Sequence, residues 1–178
     1  MDLNYSNINL FPSVIHQFDV NGFSEVQDEL INYAYDLKKK EPEGVSISNQ
    51  GGWQSSDFSV NNEYDSLHSF IINCLAGFPV IDESFNIKID AWVNINKPGD
   101  YNIKHNHPGV DLAGVLWIKC PENCGEIVFD PPTAFQSHNE INSYTEDFKN
   151  KNNLFHCFNF YPTEGRILVF PSHLYHLV

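Results

Sequence analysis

Arginine is nearly missing from this chain of 178 residues: Arg166 is the only one, and ten basic residues stand against 23 acidic ones. The formal net charge is −13. Binding to nucleic acid or to an anionic membrane surface depends on a broad basic patch, which this composition does not supply. We therefore expect neither nucleic acid nor a membrane among the partners.

Long apolar segments are missing too. No run of 18 apolar residues occurs, and the first residues lack the basic and then apolar regions of a signal peptide. The four cysteines, Cys74, Cys120, Cys124 and Cys157, are too few and too scattered for a disulfide scaffold. These absences predict a soluble cytoplasmic protein with reduced thiols.

Cys120 and Cys124 form a C-x3-C pair, which is half of a possible zinc site. No second pair with ligand spacing follows. The residues between them, Pro121-Glu122-Asn123, are typical of a tight turn that joins two strands. We favour the turn.

Apolar and aromatic residues are abundant, at 42% and 14% of the chain. A globular fold requires such a composition, and disordered segments lack it. The length predicts one domain over residues 1–178, with a helical flank over about residues 1–80.

Two helices are predicted in that flank. Ser24 and Gln27 have the spacing of a capping box, and apolar residues then recur at three and four positions as far as the basic end at Lys38–Lys40. A second amphipathic pattern predicts a helix from Asp65 to Ala76, ended by Gly77-Phe78-Pro79.

Less regular segments surround these helices. A short edge strand is expected around Ser13–Phe18. Residues 41–58 are rich in Gly, Ser, Asn and Pro and predict a loop or a pair of short strands, in which Trp53 is either part of a ligand lid or a plug at the end of the core. The polar stretch Pro131–Asn153 is longer than a usual connection and is expected to be mobile or to cover a site.

After Pro79 the hydrophobic period changes from 3.6 to 2, and turn signals recur about every ten residues. The predicted strands are Phe85–Asn96, Tyr101–His107, Leu112–Lys119, Glu126–Phe129, Phe155–Tyr161 and Arg166–Phe170. Two helices followed by these strands predict a mainly β chain with flanking helices, either α+β or a β-sandwich with a helical flank.

The strongest chemical signal is His105-Asn106-His107. Residues two apart in a strand point to the same face, so both imidazoles converge while Asn106 faces away. His176, near the carboxyl end, is expected to complete the group. Two or three imidazoles with a carboxylate such as Asp111, and with open positions, are the arrangement of non-haem Fe(II) sites that activate oxygen, although zinc or manganese fits the same ligands.

The spacing of these residues is more specific than a pair of histidines. Gly99, His105, His107 and Asp111 follow the first motif of the cupins, with Asp in place of Glu and without the later glycine. Gly165, Pro171 and His176 follow the second motif, with His173 where a glycine is usual. Two half-motifs in the right order favour a metal site over isolated polar residues.

The carboxyl-terminal half, from about Asp90 to Val178, resembles the 2-oxoglutarate- and Fe(II)-dependent oxygenases of viral, phage and bacterial type. The segments that carry the resemblance are Trp92-Val93-Asn94, Gly99, His105-Asn106-His107-Pro108, Ala113–Trp117, Gly125–Pro131 and Gly165–His176. The loop Gly52-Trp53-Gln54-Ser55 also looks like that group. If the chain is viral, its location is the host cytoplasm.

The resemblance implies a double-stranded β-helix (jelly roll) with Fe(II) in an open pocket. It implies a dioxygenase that hydroxylates an unidentified small-molecule or peptidyl substrate while 2-oxoglutarate is decarboxylated to succinate and carbon dioxide. The first metal-binding histidine of the family falls on His105 and the distal one on His176. The usual carboxylate of His-x-Asp falls on His107, so either three histidines bind the metal or Asp111 takes the carboxylate's place; we prefer the three histidines.

The sequence says less about the residues that line the pocket and bind the cosubstrate than about the metal ligands. Asn94 and Trp117 are candidate cofactor-binding residues, and Trp92 is a further candidate for the lining. The family usually places an Arg or Lys beyond the distal histidine to bind the 2-oxoglutarate carboxylate. This sequence ends two residues after His176, and Arg166 is more simply a surface cation at a strand end.

Two alternatives remain open from the sequence. The first is a cupin-type dioxygenase or isomerase that needs metal but no 2-oxoglutarate, with Asp111 added to the three histidines. The second is a non-catalytic jelly-roll module for binding, or one associated with a virion.

Overall fold

The computed structural model describes residues 4–60, 66–76, 78, 88–133 and 139–178. Within these ranges the chain is mainly β, in antiparallel strand groups flanked by a few helices. The predicted start of one helix at Asp65, the first residues of the predicted strand Phe85–Asn96 and part of the stretch Pro131–Asn153 lie outside the described residues. Among the described residues, no helix combines the length and the hydropathy needed to cross a membrane.

The amino-terminal part carries strand β1 (His16–Asp19), a 3-10 turn (Phe23–Glu25) and helix α1 (Gln27–Lys40). The predicted capping box was wrong. Ser24 lies inside the 3-10 turn, and the residue that caps α1 is Val26, which makes no side-chain cap. The chain turns at Gly22, whose φ is 72°, and buries Phe23, so that the cap of α1 lies two residues later than the polar spacing suggests.

Three short strands follow α1 and precede the second helix. They are β2 (Asn49–Gln50), β3 (Trp53–Gln54) and β4 (Phe58–Val60), and helix α2 comprises Ser66–Ala76. Trp53 is 7% exposed and packs in the core, where its Nε1 donates to the Glu41 carbonyl oxygen at 2.8 Å. The plug interpretation of Trp53 is therefore confirmed.

The predicted strand Phe85–Asn96 is interrupted where the structure describes it. β5 (Ile89–Ala91) pairs with β4, and β6 (Asn94–Ile95) pairs with β3. The interruption is caused by one residue of a distant segment: the buried Ser55 hydroxyl accepts the Val93 N–H at 2.9 Å, and the Ser55 N–H donates to the Val93 carbonyl oxygen. A side chain thus replaces a ladder partner between the two short strands.

The remaining described strands build the part of the chain that carries the histidines. They are β7 (Tyr101–Asn102), β8 (Leu112–Leu116), β9 (Ile127–Phe129), β10 (Phe158–Phe160), β11 (Arg166–Pro171) and β12 (His176–Leu177). One sheet has the order β1-β11-β8 and another the order β10-β9-β12, and β2 pairs with β7. The predicted edge strand near Ser13–Phe18 is confirmed as β1 at the edge of the first sheet.

The described part of the polar stretch Pro131–Asn153 is helical in two places. A 3-10 helix covers Asn139–Ser143, and helix α3 covers Glu146–Lys151. Thr145 caps α3, because its Oγ1 accepts the Phe148 N–H at 3.3 Å.

Three hydrophobic clusters fill the described interior, and we name two of them by what they support. The helix-side core packs α1 and α2 against β3 and Val93, and consists of Phe23, Leu30, Ala34, Trp53, Leu67 and Val93. The site-side core lies in the strands near the histidines, and consists of Ile127, Phe129, Leu168, Phe170 and Leu174.

Candidate metal centre

The backbone brings His105 and His176 together directly. The two residues form an isolated antiparallel bridge, in which each N–H donates to the other's carbonyl oxygen at 2.9 Å. The predicted strand Tyr101–His107 is regular only over β7, but reciprocal hydrogen bonds between Asn102 and Val178 lie beside this bridge and join the same two segments.

His107 reaches the same place through a second backbone contact. Its N–H donates to the carbonyl oxygen of Ser172 at 3.0 Å, just after β11. The alternation predicted for His105-Asn106-His107 is therefore fixed at both histidines by the carboxyl-terminal segment. Residues far apart in sequence end in one cluster.

One ring nitrogen from each of the three histidines lies within 4.8 Å of the others, and the group could hold a metal ion. The ring centroids of His105 and His176 are 4.4 Å apart, and that of His107 lies 5.0 Å from the first and 5.2 Å from the second. Among the described residues, this is the only group of three or more His, Cys, Asp or Glu with such spacing.

The hydrogen bonds of two rings decide which nitrogens face a metal. The Nδ1 of His105 lies 2.7 Å from the Ile103 carbonyl oxygen, and the Nδ1 of His176 lies 3.0 Å from that of Leu174. A carbonyl oxygen only accepts, so Nδ1 carries the proton and donates in both rings. The Nε2 lone pairs are left for a ligand, which is how metal-binding histidines are held by their surroundings.

Aromatic rings surround the buried side of the cluster. His176 is 5% exposed, and its ring lies 5.0 Å from that of Phe170 and 5.6 Å from that of Phe129. On the other side, the Trp92 ring is 5.6 Å from His107. The site therefore rests on the site-side core and has an indole beside one of its imidazoles.

Burial favours the neutral form of His107 and His176. Desolvation, together with the neighbouring His176 and His105, lowers the pKa of His107 from 6.5 to about 4. Desolvation also lowers the pKa of His176, against the opposing effect of the hydrogen bond to the Leu174 carbonyl. Neutral imidazole is the form that binds a metal.

The other predicted site residues lie in different surroundings. Asp111 is exposed and is not part of the histidine group. Asn94 is exposed on β6 opposite Gln54. Trp117 is half-buried and packs against the site-side core. The roles of Asn94 and Trp117 in binding a cofactor stay predictions.

Arg166 has the surface role that the sequence favoured. Its Nε donates to Asp19 Oδ1 at 2.7 Å and its guanidinium also reaches Oδ2, across the β1–β11 pair. This contact lowers the pKa of the Asp19 carboxyl.

The sequence reasoning missed the groups that orient the imidazoles. Two of them are the main-chain carbonyls of Ile103 and Leu174, which accept from the rings, and no side-chain pattern reveals them. The Ser172 carbonyl, which accepts the main-chain N–H of His107, leaves no signal in the sequence either. The apolar support from Phe129 and Phe170 had a signal, since both are alternate residues in predicted strands, but nothing in the pattern says that they touch His176.

A mainly antiparallel chain with a three-histidine group that could hold a metal belongs, by its architecture, among candidate metalloproteins. The comparison with family models is more specific. Residues 90–178, half of the chain, match the family described as "Putative 2OG-Fe(II) oxygenase". The chain belongs to this family, which indicates an oxidoreductase that uses Fe(II) and 2-oxoglutarate.

No curated protein matches the chain. The viral, phage or bacterial subtype suggested by the sequence therefore stays a prediction. All three histidines lie inside the matched region.

Proposed function

We propose that this protein is a non-haem Fe(II)- and 2-oxoglutarate-dependent dioxygenase that hydroxylates a small-molecule or peptidyl substrate. His105, His107 and His176 are the proposed metal ligands. The observation that carries the proposal is their convergence within 4.8 Å inside the region that matches the oxygenase family.

The donor set fits a ferrous ion. Imidazole nitrogen suits iron, and a site that uses three protein ligands leaves positions for further ligands. In His105 and His176 the protonated Nδ1 is tied to a carbonyl oxygen, so each ring is held in the tautomer that a metal requires.

When bound, Fe(II) with 2-oxoglutarate supplies the oxidation of a substrate C–H bond by O2, with decarboxylation of the cosubstrate to succinate and carbon dioxide. The residues of the chain would hold the metal and orient the imidazoles that bind it. The His105–His176 bridge fixes the relative position of two imidazoles, and Phe129 and Phe170 exclude water from the inner side of His176. The protein contributes to cofactor chemistry by orienting the bound groups and by excluding water from the site.

The finer features of the fold and setting belong to the same proposal. We propose that the antiparallel groups form a double-stranded β-helix in one domain, because β11 and β12 lie in different sheets and bring His176 to His105. An acidic chain favours a neutral or cationic substrate over a polyphosphate. Cytoplasmic location stays a prediction.

A second candidate function is a cupin-type dioxygenase that needs no 2-oxoglutarate. The histidine at position 107 favours it, because the cupin motif has a His there whereas the oxygenase family pattern has an Asp. The four-ligand version with Asp111 has less support, since that side chain is exposed and outside the group.

The two candidates differ in how ligands stabilise the fold. Anaerobic Fe(II) and 2-oxoglutarate together should raise the melting temperature more than Fe(II) alone, because a ligand that binds only the folded state stabilises it by mass action. On admitting air, succinate should form from 2-oxoglutarate even without a substrate.

The variant His176→Ala should lose both the iron-dependent stabilisation and the succinate. The matched control is His173→Ala, which removes an exposed imidazole three residues away and should retain both. Stabilisation by Fe(II) with no further effect of 2-oxoglutarate, and no succinate, would favour the cupin candidate. No response to either ligand would contradict both.

A further inference from the structure

The pair Cys120 and Cys124 lies on the turn between β8 and β9, away from the three histidines in the sequence. The Cys124 N–H donates to the Pro121 carbonyl oxygen at 3.1 Å, and Asn123 has a φ of 63°. A positive φ at the third residue and a bond from the fourth residue to the first define a type II turn. The turn predicted from the sequence is therefore confirmed.

This turn places the two thiols in contact. The side chains of Cys120 and Cys124 are hydrogen-bonded to each other, and both residues are free thiols. Cys124 is exposed, whereas Cys120 is half-buried. The turn therefore holds the two thiols side by side.

A groove of about 630 Å³ opens beside the pair and is lined by Cys120, Cys124, Glu126 and Tyr161, among others. The Oε1 atom of Glu126 accepts from Asn159 at 2.7 Å. Its Oε2 atom is buried and has no hydrogen-bond partner among the described residues.

The two thiols differ in reactivity. Desolvation, the neighbouring Cys124 and the nearby Glu164 raise the pKa of Cys120 to about 12. Cys120 is therefore protonated at neutral pH, and the exposed Cys124 is the thiol that a dissolved oxidant meets first.

We propose that Cys120 and Cys124 form a peroxide-sensitive dithiol, with Cys124 as the thiol that is attacked first and Cys120 as the resolving thiol. The proposal does not depend on the metal centre.

The chemistry takes place in two balanced steps with hydrogen peroxide as the oxidant. The Cys124 thiolate attacks one peroxide oxygen, the O–O bond breaks, and the released hydroxide takes up the thiol proton to give water and a sulfenic acid. The sulfur of Cys120 then attacks the sulfur of Cys124, the S–O bond breaks, and the departing hydroxide leaves as water with the Cys120 proton. Two thiols are oxidised to one disulfide, and one peroxide is reduced to two waters.

The test treats the full chain with hydrogen peroxide and maps its peptides by mass spectrometry. We expect one peptide in which Cys120 and Cys124 are joined, with a mass lower by two hydrogen atoms, and recovery of both thiols on reduction. Cys157 is the internal control, because it is also exposed but should stay reduced at a peroxide dose that closes the pair.

A substitution separates the two roles. In Cys120→Ser the sulfenic acid on Cys124 has no resolving thiol, so it should become trappable by a carbon nucleophile such as dimedone, while Cys157→Ser should leave the Cys120–Cys124 link unchanged. Irreversible oxidation of Cys124 in the wild-type chain with Cys120 still a free thiol would overturn the proposal. So would oxidation of Cys157 at the same rate, or disulfides that form only between chains. The wild-type peptide map decides the question even if a variant fails to fold.

Discussion

The helix-side core and the site-side core are both apolar and buried, but only the site-side core has described ring contacts with a histidine of the metal centre. The helix-side core packs two helices, a tryptophan and Val93, and no described ring contact joins its members to a histidine of the metal centre. In the site-side core, Phe129 and Phe170 place their rings against His176. Burial in the first region stabilises the chain, whereas burial in the second also orients a ligand and lowers its pKa.

The largest expected effect lies in the helix-side core. Leu30 is 1% exposed, so Leu30→Ala removes its transfer free energy and leaves a cavity, which costs about 2–5 kcal/mol. Chemical denaturation should show this loss. Iron affinity measured under conditions where the variant is still folded should be unchanged. A large drop in affinity would remove the distinction between the two cores.

Gly165 lies where the two regions meet, just before β11, and comes next in size. Its φ is +78°, and a Cβ there would lie 2.6 Å from the Phe23 ring of the helix-side core. Gly165→Ala should therefore cost about 2–4 kcal/mol, from the left-handed backbone and from the clash together.

Gly99 supplies the matched control for this variant. Its φ is +91°, but a Cβ would meet nothing within 4 Å. Gly99→Ala carries the backbone strain alone, so it should cost about 1–2 kcal/mol. Equal losses of unfolding free energy for the two variants would contradict the role given to the contact with Phe23.

A smaller substitution tests the site-side core. Phe170→Leu removes the ring that meets His176 at 5.0 Å and should cost about 1–2 kcal/mol, with a fall of about tenfold in iron affinity because His176 loses part of its support. Phe160→Leu is the control, since that ring contacts Phe129 but has no described ring contact with His176. Calorimetric titration of Fe(II) under anaerobic conditions measures both affinities. Identical affinities in the two variants would argue against ring support of the ligand.

The smallest effect is expected at the surface pair Asp19 and Arg166. The hydrogen bond from Arg166 lowers the pKa of Asp19 below its usual 3.8 in the folded state. Its stabilisation is therefore complete above that pH and is lost as the pH falls through the lower, folded value. An exposed pair is worth at most about 1 kcal/mol.

Unfolding free energies of Asp19→Asn and the wild type, measured against pH, test this contact. The difference between them should shrink as the pH falls from about 5 towards 2. A difference that stays constant over this range would show that the carboxylate charge makes no contribution.

The sequence predicted the convergence of the three histidines better than it predicted the local structure around them. Strand alternation predicted that His105 and His107 share one face, and the motif spacing added His176. These predictions depend only on which residue occupies which position, and the sequence shows that directly. The helix start at Ser24 was wrong because the capping box competed with burial of Phe23 after Gly22. The continuous strand through Val93 was wrong because the Ser55 hydroxyl, 38 residues away, takes its N–H. Contacts of that kind are non-local and leave no local pattern.

The central claim is that imidazoles from two distant segments bind one ferrous ion. A crystal structure of the anaerobic Fe(II)-loaded protein, with anomalous difference density measured at the iron edge, tests it most directly. The account predicts one peak within bonding distance of His105, His107 and His176, with the Nε2 atoms of His105 and His176 facing it. A peak bound to only one of these side chains, or to residues elsewhere in the chain, would contradict it.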